Sequence, residues 1–450
     1  GDGDSKARKA LCCLLDIETG LGSKPVLIAA AKNHSKIISI LLQYGVNPNT
    51  TNRYGITAAT IASLLNHVDV LTVLSHDSRT NFNSSCIEKN IQDSEYTEDS
   101  WSNDNYQQCI MSPAHAACEG GHLDALRFLY NLKKRDVGVK EDEDGNVILG
   151  GVTNIVDFTV YNGDGYSCAG IAALYNRADT INFLSSITDT KGTKEPYLNQ
   201  RFLHKTDTNH PFNGEPPIHT AVRNNSGEAL LALLTTPRPH CDIAARNIYG
   251  MTALHLAAEE DRAQMAAKIV TSIDEWSCQL FDSEDMFGMT PLYIASVMGH
   301  NDVVDFLAPV SDIDRLNRAA LNRSRVMGKR GGGGSGGGGG GKNTSIIDAS
   351  ITSYTTFQPA LLAATTNNHV EVIKSLLTYG ADVNQTDDAG HTAISIAARN
   401  GYYWACQVLL EYKADVTIQS KKGGGTPLQK ARKYRQFQVV ELFESHLSES

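Results

Sequence analysis

The 450-residue sequence contains no run of 18 apolar residues, so it offers no candidate for a membrane-spanning helix. It lacks a basic excess. Its 40 Lys and Arg stand against 50 Asp and Glu, a formal charge of −10 that argues against a nucleic-acid partner. The cysteines, at 12, 13, 86, 109, 118, 168, 241, 278 and 406, include no CxxC pair and are odd in number. That pattern supplies no clustered zinc ligands. Cys118 and Cys168 fall inside apolar helical patterns, which reads as reduced, buried thiols in a cytoplasmic or nuclear protein. The opening Gly1-Asp2-Gly3-Asp4-Ser5 has neither Met nor an apolar signal core. It reads as a cut edge that leaves native targeting illegible.

Catalytic signatures are also missing. There is no Gly-rich phosphate loop with Lys, no nucleophile elbow and no HExxH helix. Two partial motifs fail on their own residues. His210-Pro211-Phe212-Asn213-Gly214 resembles the start of the Fic nucleotide-transfer motif, but Glu215-Pro216-Pro217 follows where that motif needs a second Gly and a phosphate-gripping Arg. Asp142-Glu143-Asp144-Gly145 hints at a calcium loop, yet Lys140 holds its first position. Asn49, Asn83, Asn322 and Asn343 begin glycosylation triplets, read as chance matches in a thiol-rich chain. No catalytic residue, metal or cofactor is expected.

Repetition is what the sequence has in abundance. Length alone suggests about three domains, unless the chain grows by stacking repeats. Gly250-Met251-Thr252-Ala253-Leu254-His255-Leu256-Ala257-Ala258 is echoed by Gly288 to Ala295, by Gly390 to Ala398 and by Gly425 to Leu428. An apolar helical pattern follows each, as in Val370, Val372, Ile373, Leu376 and Leu377, and then a turn such as Tyr379-Gly380-Ala381-Asp382-Val383-Asn384. Thr252 suits a helix N-cap, and proline suits the first helical position. Paired alanines allow close helix packing, and Gly380 suits a left-handed helix end. One such unit cannot bury its own apolar face, so neighbours must stack.

These motifs closely resemble the ankyrin repeat. Ten copies align on the residue in the family's Pro slot: Pro25, Ala58, Pro113, Cys168, Pro217, Ala253, Pro291, Ala360, Ala393 and Pro427. The first, fourth, fifth and eighth are the weakest. Cys168 and Gly170 replace the usual Pro and His. The resemblance implies an all-α solenoid of helix-turn-helix units, curved, with β-turn fingers and first helices on its concave side. His115, His219 and His255 occupy the repeat's histidine slot, where an imidazole bonds backbone between units.

The spacing of the slots divides the chain. Residues 1–310 hold copies one to seven, with insertions near 76–110, 133–160 and 188–213. Residues 311–359 form a further insertion, and 360–450 hold copies eight to ten, continuing the same solenoid. Residues 331–341 are glycine apart from Ser335 and read as an engineered flexible linker. Each insertion is either a loop on the finger side or a partner contact. The apolar content of 146–160 suggests a segment that packs down as an extended hairpin. Two basic runs stand out. Arg315 to Arg330 reads as a solvated helix end, or else as a localisation or acidic-partner patch. Lys421, Lys422, Lys430, Arg432, Lys433 and Arg435 read as a polar cap on the stack, or as a site for an acidic or phosphorylated peptide.

The function implied by the resemblance is a non-enzymatic scaffold or adaptor for protein–protein interaction. The alternatives are the substrate-recruiting arm of a larger enzyme and a pathogen effector that engages host proteins. In the family, partners meet finger tips and the pair after the first-helix alanines. Carried over, these are Arg53, Tyr54, Ile248, Tyr249, Met286, Phe287 and Asp388 on the fingers, and Leu64, Leu65, Tyr175, Glu259, Glu260, Val297, Met298 and Arg399 on the helices. Tyr249, Phe287, Val297 and Met298 form the most apolar set, with Glu259 and Glu260 beside them. The expected ligand is a protein or peptide with apolar anchors and neighbouring Lys or Arg, with no nucleic acid and no membrane span.

Overall fold

The computed structural model describes residues 24–52, 54–83, 111–132, 139–141, 147–149, 156–187, 197–203, 214–236, 241–273, 279–315, 317–319, 356–421 and 424–449. The chain divides into two units, Gly1–Ile248 and Tyr249–Ser450. Among the described residues the first holds five helix pairs. They are α1 (Pro25–Ala31) with α2 (Ser35–Gln43), α3 (Ala58–Leu64) with α4 (Val68–Ser75), α5 (Pro113–Gly120) with α6 (Leu123–Leu132), α7 (Cys168–Leu174) with α8 (Ala178–Ser186), and α9 (Pro217–Arg223) with α10 (Gly227–Thr235). The second holds α11 (Ala253–Glu259) with α12 (Ala263–Ser272), α13 (Pro291–Met298) with α14 (Asn301–Leu307), α15 (Ala360–Thr366) with α16 (Val370–Thr378), α17 (Ala393–Asn400) with α18 (Tyr403–Glu411), and α19 (Pro427–Lys433) with α20 (Phe437–Glu449). Within each unit, first helices stack on first helices and second on second, forming a repeat solenoid.

Every residue aligned in the Pro slot is the first residue of a first helix, including Cys168 in the copy with the most altered motif. The cap before it is Thr or Ser in seven copies: Thr57, Ser112, Ser167, Thr252, Thr290, Thr392 and Thr426. Each can satisfy an orphan N–H of the first turn. Ser167 Oγ accepts from Gly170 N–H at 3.1 Å, so the cap survives without the usual histidine. Four residues into each first helix stands an alanine, from Ala29 to Ala431, and all are buried. A side chain of one methyl lets adjacent first helices approach closely. The larger residues of the second helices, such as Leu126, Leu129, Ile181, Leu184, Ile373 and Leu376, fill the rest of the core. Burying each contributes about 1.5–3 kcal/mol.

The joint between paired helices is equally regular. Eight residues after the Pro slot the backbone is left-handed in all ten copies: Gly121, Gly299 and Gly401, Asn33, Asn66, Asn176, Asn225 and Asn368, Asp261, and Arg435. Glycine and the short polar side chains tolerate this conformation best. The next residue reaches the preceding copy. His67 Nδ1 bonds Ala30 O at 2.8 Å, His300 Nδ1 bonds Ala258 O at 2.8 Å, and His369 Nε2 bonds Val297 O at 3.0 Å. Arg177 Nε donates to Glu119 O at 2.8 Å, and Gln436 Nε2 to Arg399 O at 3.4 Å. Each bond satisfies a carbonyl left open where a first helix ends.

The insertions pack in part. In the first, Phe82 is buried. In the second, β1 (Val139–Glu141) pairs antiparallel with β2 (Val147–Leu149). The hairpin therefore begins before 146–160 and only its second strand falls within that range, while Val156 and Phe158 beyond it enter the core. Phe158 meets Tyr130 edge-on at 6.4 Å. The third insertion buries Tyr197, Leu198 and Phe202. In the second unit, β3 (Asn317–Ala319) pairs antiparallel with β4 (Thr356–Gln358), and α15 packs on α13. The Gly-rich tract at 331–341 and His210 lie outside the described residues, as do Asp142 to Gly145.

Four described thiols, Cys118, Cys168, Cys241 and Cys406, are free and buried. Burial pushes Cys241 and Cys406 up to about 12. Cys241 and Cys406 are expected to stay silent to a thiol reagent at neutral pH in the native state and to react once denatured. Native-state labelling of Cys406 would contradict its packing.

Candidate functional site

The fingers are built by one acidic or amide side chain each. Asp285 Oδ1 accepts from Phe287 N–H and from Met289 N–H, both at 2.9 Å, which folds 285–289 into a tight turn. Asn52 does the same for Tyr54 at 2.9 Å and Ile56 at 3.0 Å. Asn162 and Asp387 hold their turns through Tyr166 N–H and His391 N–H. This is the Asx mode, in which a side chain replaces a backbone acceptor. Neighbouring fingers are tied to one another, since Met286 N–H donates to Tyr249 O at 2.9 Å.

The set expected to contact a partner lies mainly in the second unit. Met286 and Met298 are 54% and 50% exposed. Tyr249, Phe287 and Val297 are half-buried. Glu259 and Glu260 end α11, which packs on α13, the helix that ends in Val297 and Met298. Glu260 lies 3.9 Å from Arg262. Asp388 and Arg399 are exposed. In the first unit Tyr54, Leu65, Tyr175 and Ile248 are exposed and Leu64 is half-buried. Arg53 lies outside the described residues.

The repeat histidines are buried scaffolding. His255 Nδ1 lies 2.8 Å from Thr252 Oγ1 and 3.1 Å from Thr252 N–H, while Nε2 reaches Met289 O of the next copy at 3.1 Å. His115 Nδ1 lies 2.7 Å from Ser112 Oγ. Cys118 and Cys168 sit fully buried in the same set, with burial pushing the Cys118 thiol well up. Glu215, which breaks the partial nucleotide-transfer motif, is itself buried. It accepts from Arg223 Nη2 at 2.8 Å, Arg223 Nε at 3.0 Å and Asn247 Nδ2 at 3.2 Å. Among the described residues no group of three or more His, Cys, Asp or Glu could hold a metal ion. No described helix is long and apolar enough to cross a membrane.

Sequence reasoning passed over one set of exposed aromatics in the last two copies. Trp404 is 67% exposed and Phe437 77%, with Tyr434 close behind. Aligning the copies by their eleventh residue after the Pro slot would have singled out Trp404.

A family model described as "Ankyrin repeats (3 copies)" matches the chain at 3–86, 170–277, 218–319, 343–420 and 361–447, more than half of its length. Ankyrin repeat domain-containing protein 39 of Homo sapiens is 38% identical over 64 residues, 14% of this chain and 35% of its own length. SH3 and multiple ankyrin repeat domains protein 2 of Homo sapiens is 24% identical over 236 residues, 52% of this chain and 10% of its own. Ankyrin repeat and KH domain-containing protein mask of Drosophila melanogaster is 35% identical over 95 residues, 20% of this chain and 2% of its own. The chain thus spans 35% or less of the length of each of these relatives. Among solved structures, the ankyrin repeat domain of Bcl-3, a member of the IkappaB protein family, is similar with a TM-score of 0.45 and 20% identity. That likeness covers 62% of this chain and 99% of the other.

Proposed function

Because the chain belongs to the ankyrin repeat family, we propose that it is a non-enzymatic scaffold whose second unit binds a protein segment along the fingers and first-helix ends of copies six and seven. Repeat solenoids of this kind generally mediate protein–protein interaction through extended surfaces. The observation that carries the choice of surface is the exposure of Met286 and Met298 beside the half-buried Tyr249, Phe287 and Val297. Apolar side chains held open on rigid elements favour anchoring residues of a ligand. The carboxylates of Glu259 and Glu260 at the edge favour Lys or Arg next to those anchors. The four buried free thiols support placement in the cytoplasm or nucleus, where thiols stay reduced.

Affinity capture from cell extract followed by mass spectrometry supplies the ligands. They are expected to share aliphatic or aromatic anchors flanked by basic residues. Tyr249→Ala and Phe287→Ala are each expected to weaken binding of a recovered segment by roughly 1–3 kcal/mol, with thermal stability nearly unchanged. Wild-type affinity in both variants would exclude the finger surface.

A further inference from the structure

The repeat supplies its own internal control for surface residues. Eleven residues after each Pro slot, on the first turn of the second helix, the side chain is exposed in all ten copies. In nine of them it is Lys, Asp, Glu or Gln, from Lys36 in the first to Gln438 in the last. In the ninth it is Trp404, 67% exposed, with the Tyr403 ring edge-on to it at 5.3 Å. Copy nine has neighbours on both sides, since α17 packs on α15 and α19. The position is outward-facing by the geometry of the repeat, so an indole there gains no core burial.

The turn leading into Trp404 and the turn packed against it carry exposed cations. The turn from Arg399 to Trp404 lies beside the turn from Lys433 to Phe437. The two are joined by Gln436 Nε2 donating to Arg399 O at 3.4 Å, with the Gln436 side chain seated over Gly401. Arg399, Lys433 and Arg435 are exposed, and none forms an ion pair among the described residues. Arg432, by contrast, is taken by Glu444 at 2.6 Å. Lys433 Nζ stands 5.9 Å above the Tyr434 ring, which keeps a charge and an aromatic face together at the surface. Trp404 also begins a row on α18. Gln407 and Glu411 follow at three and seven residues, on the same helix face, and line a shallow groove shared with Leu442 and Ser445 of α20.

We propose that Trp404 and its cationic rim form a second docking surface, which takes a partner-protein segment carrying an aromatic or aliphatic anchor next to Asp and Glu. Charge complementarity selects the acidic flank, and the exposed indole selects the anchor. The polarity is opposite to that of the finger surface, whose carboxylates favour basic ligands.

The test is selection of a random-peptide display library on the full chain. Enriched peptides are expected to combine acidic residues with a Trp, Phe or Leu. Trp404→Gln, which installs the residue that copies six and ten carry at this position, is expected to lower the affinity of the enriched peptides by roughly thirtyfold. Lys433→Glu with Arg435→Glu should lower it at least as much and abolish the fall of affinity with added salt. Phe287→Ala should leave it unchanged, so that this surface and the finger surface stand or fall separately. An enriched pool without acidic residues overturns the proposal, as does a pool that binds Trp404→Gln like the parent. Binding of phosphatidylserine vesicles or oligouridine that is lost in Trp404→Gln, with no acidic peptides enriched, also overturns it and assigns the patch to lipid or nucleic acid.

Discussion

Glu215→Ala is expected to lower the stability of the first unit by about 3–5 kcal/mol, read as a shifted denaturation midpoint with an unchanged slope. The carboxylate is 2% exposed and holds three donors, two from the Arg223 guanidinium and one from the Asn247 amide. Its removal leaves a guanidinium whose side chain is only 13% exposed without its anion. The backbone at the same residue ties down the third insertion, because Phe202 N–H donates to Glu215 O at 2.7 Å. Glu215→Leu combined with Arg223→Leu is expected to recover much of the loss, since an apolar pair avoids burying a lone charge. A loss below about 1 kcal/mol for the single variant would show the pair to be solvated.

The second large effect is expected at Gly299, where valine should cost about 3 kcal/mol. Part is backbone: φ is +84° there, and a residue with a Cβ pays about 1–2 kcal/mol in that region. The rest is contact. A Cβ would lie 2.6 Å from His369 Nδ1 and 2.9 Å from its Cγ, so the ring must swing away and release Val297 O. Gly121→Val provides the comparison. Its nearest neighbour is the flexible Arg177 side chain at 2.9 Å, so a smaller loss is expected. Equilibrium unfolding of both variants, with hydrogen exchange across copies seven and eight, separates the two contributions. Equal losses would mean that the histidine contact adds nothing.

Much of the scaffold was legible because its determinants are local. The Pro slot, the cap before it and the alanine pair all fall within one short motif. The left-handed joint was readable at Gly299-His300 but not where Asn33, Asp261 or Arg435 serves, because several residue types meet that conformation. Glu215 was illegible as a structural residue. Its partners lie at Arg223 and Asn247, too far along the chain for any spacing rule to join them. Trp404 escaped notice for another reason. The family's usual contact positions directed attention to the fingers and the residues after the alanines, and the second helix was read only for its buried face. The hairpin of the second insertion was anticipated from apolar content, which signals burial but does not set register; the strands pair Val139 with Leu149.

The constant distance from Pro slot to left-handed joint fixes what the chain can tolerate as it changes length. From the start of a first helix to the turn before the second, all ten copies keep step residue for residue. Between one copy and the next the spacing varies from 33 to 69 residues. One residue added inside a helix pair would turn everything after it by about 100° and move the asparagine or glycine off the left-handed position. The same residue added between a second helix and the following finger changes only a loop, at little entropic cost. The helix pair thus behaves like a word that must be spelled whole, and the links from one copy to the next behave like the spaces between words, open to text of any length. Grafts, tags or recognition segments placed at those links should leave both proposed docking surfaces displayed as before.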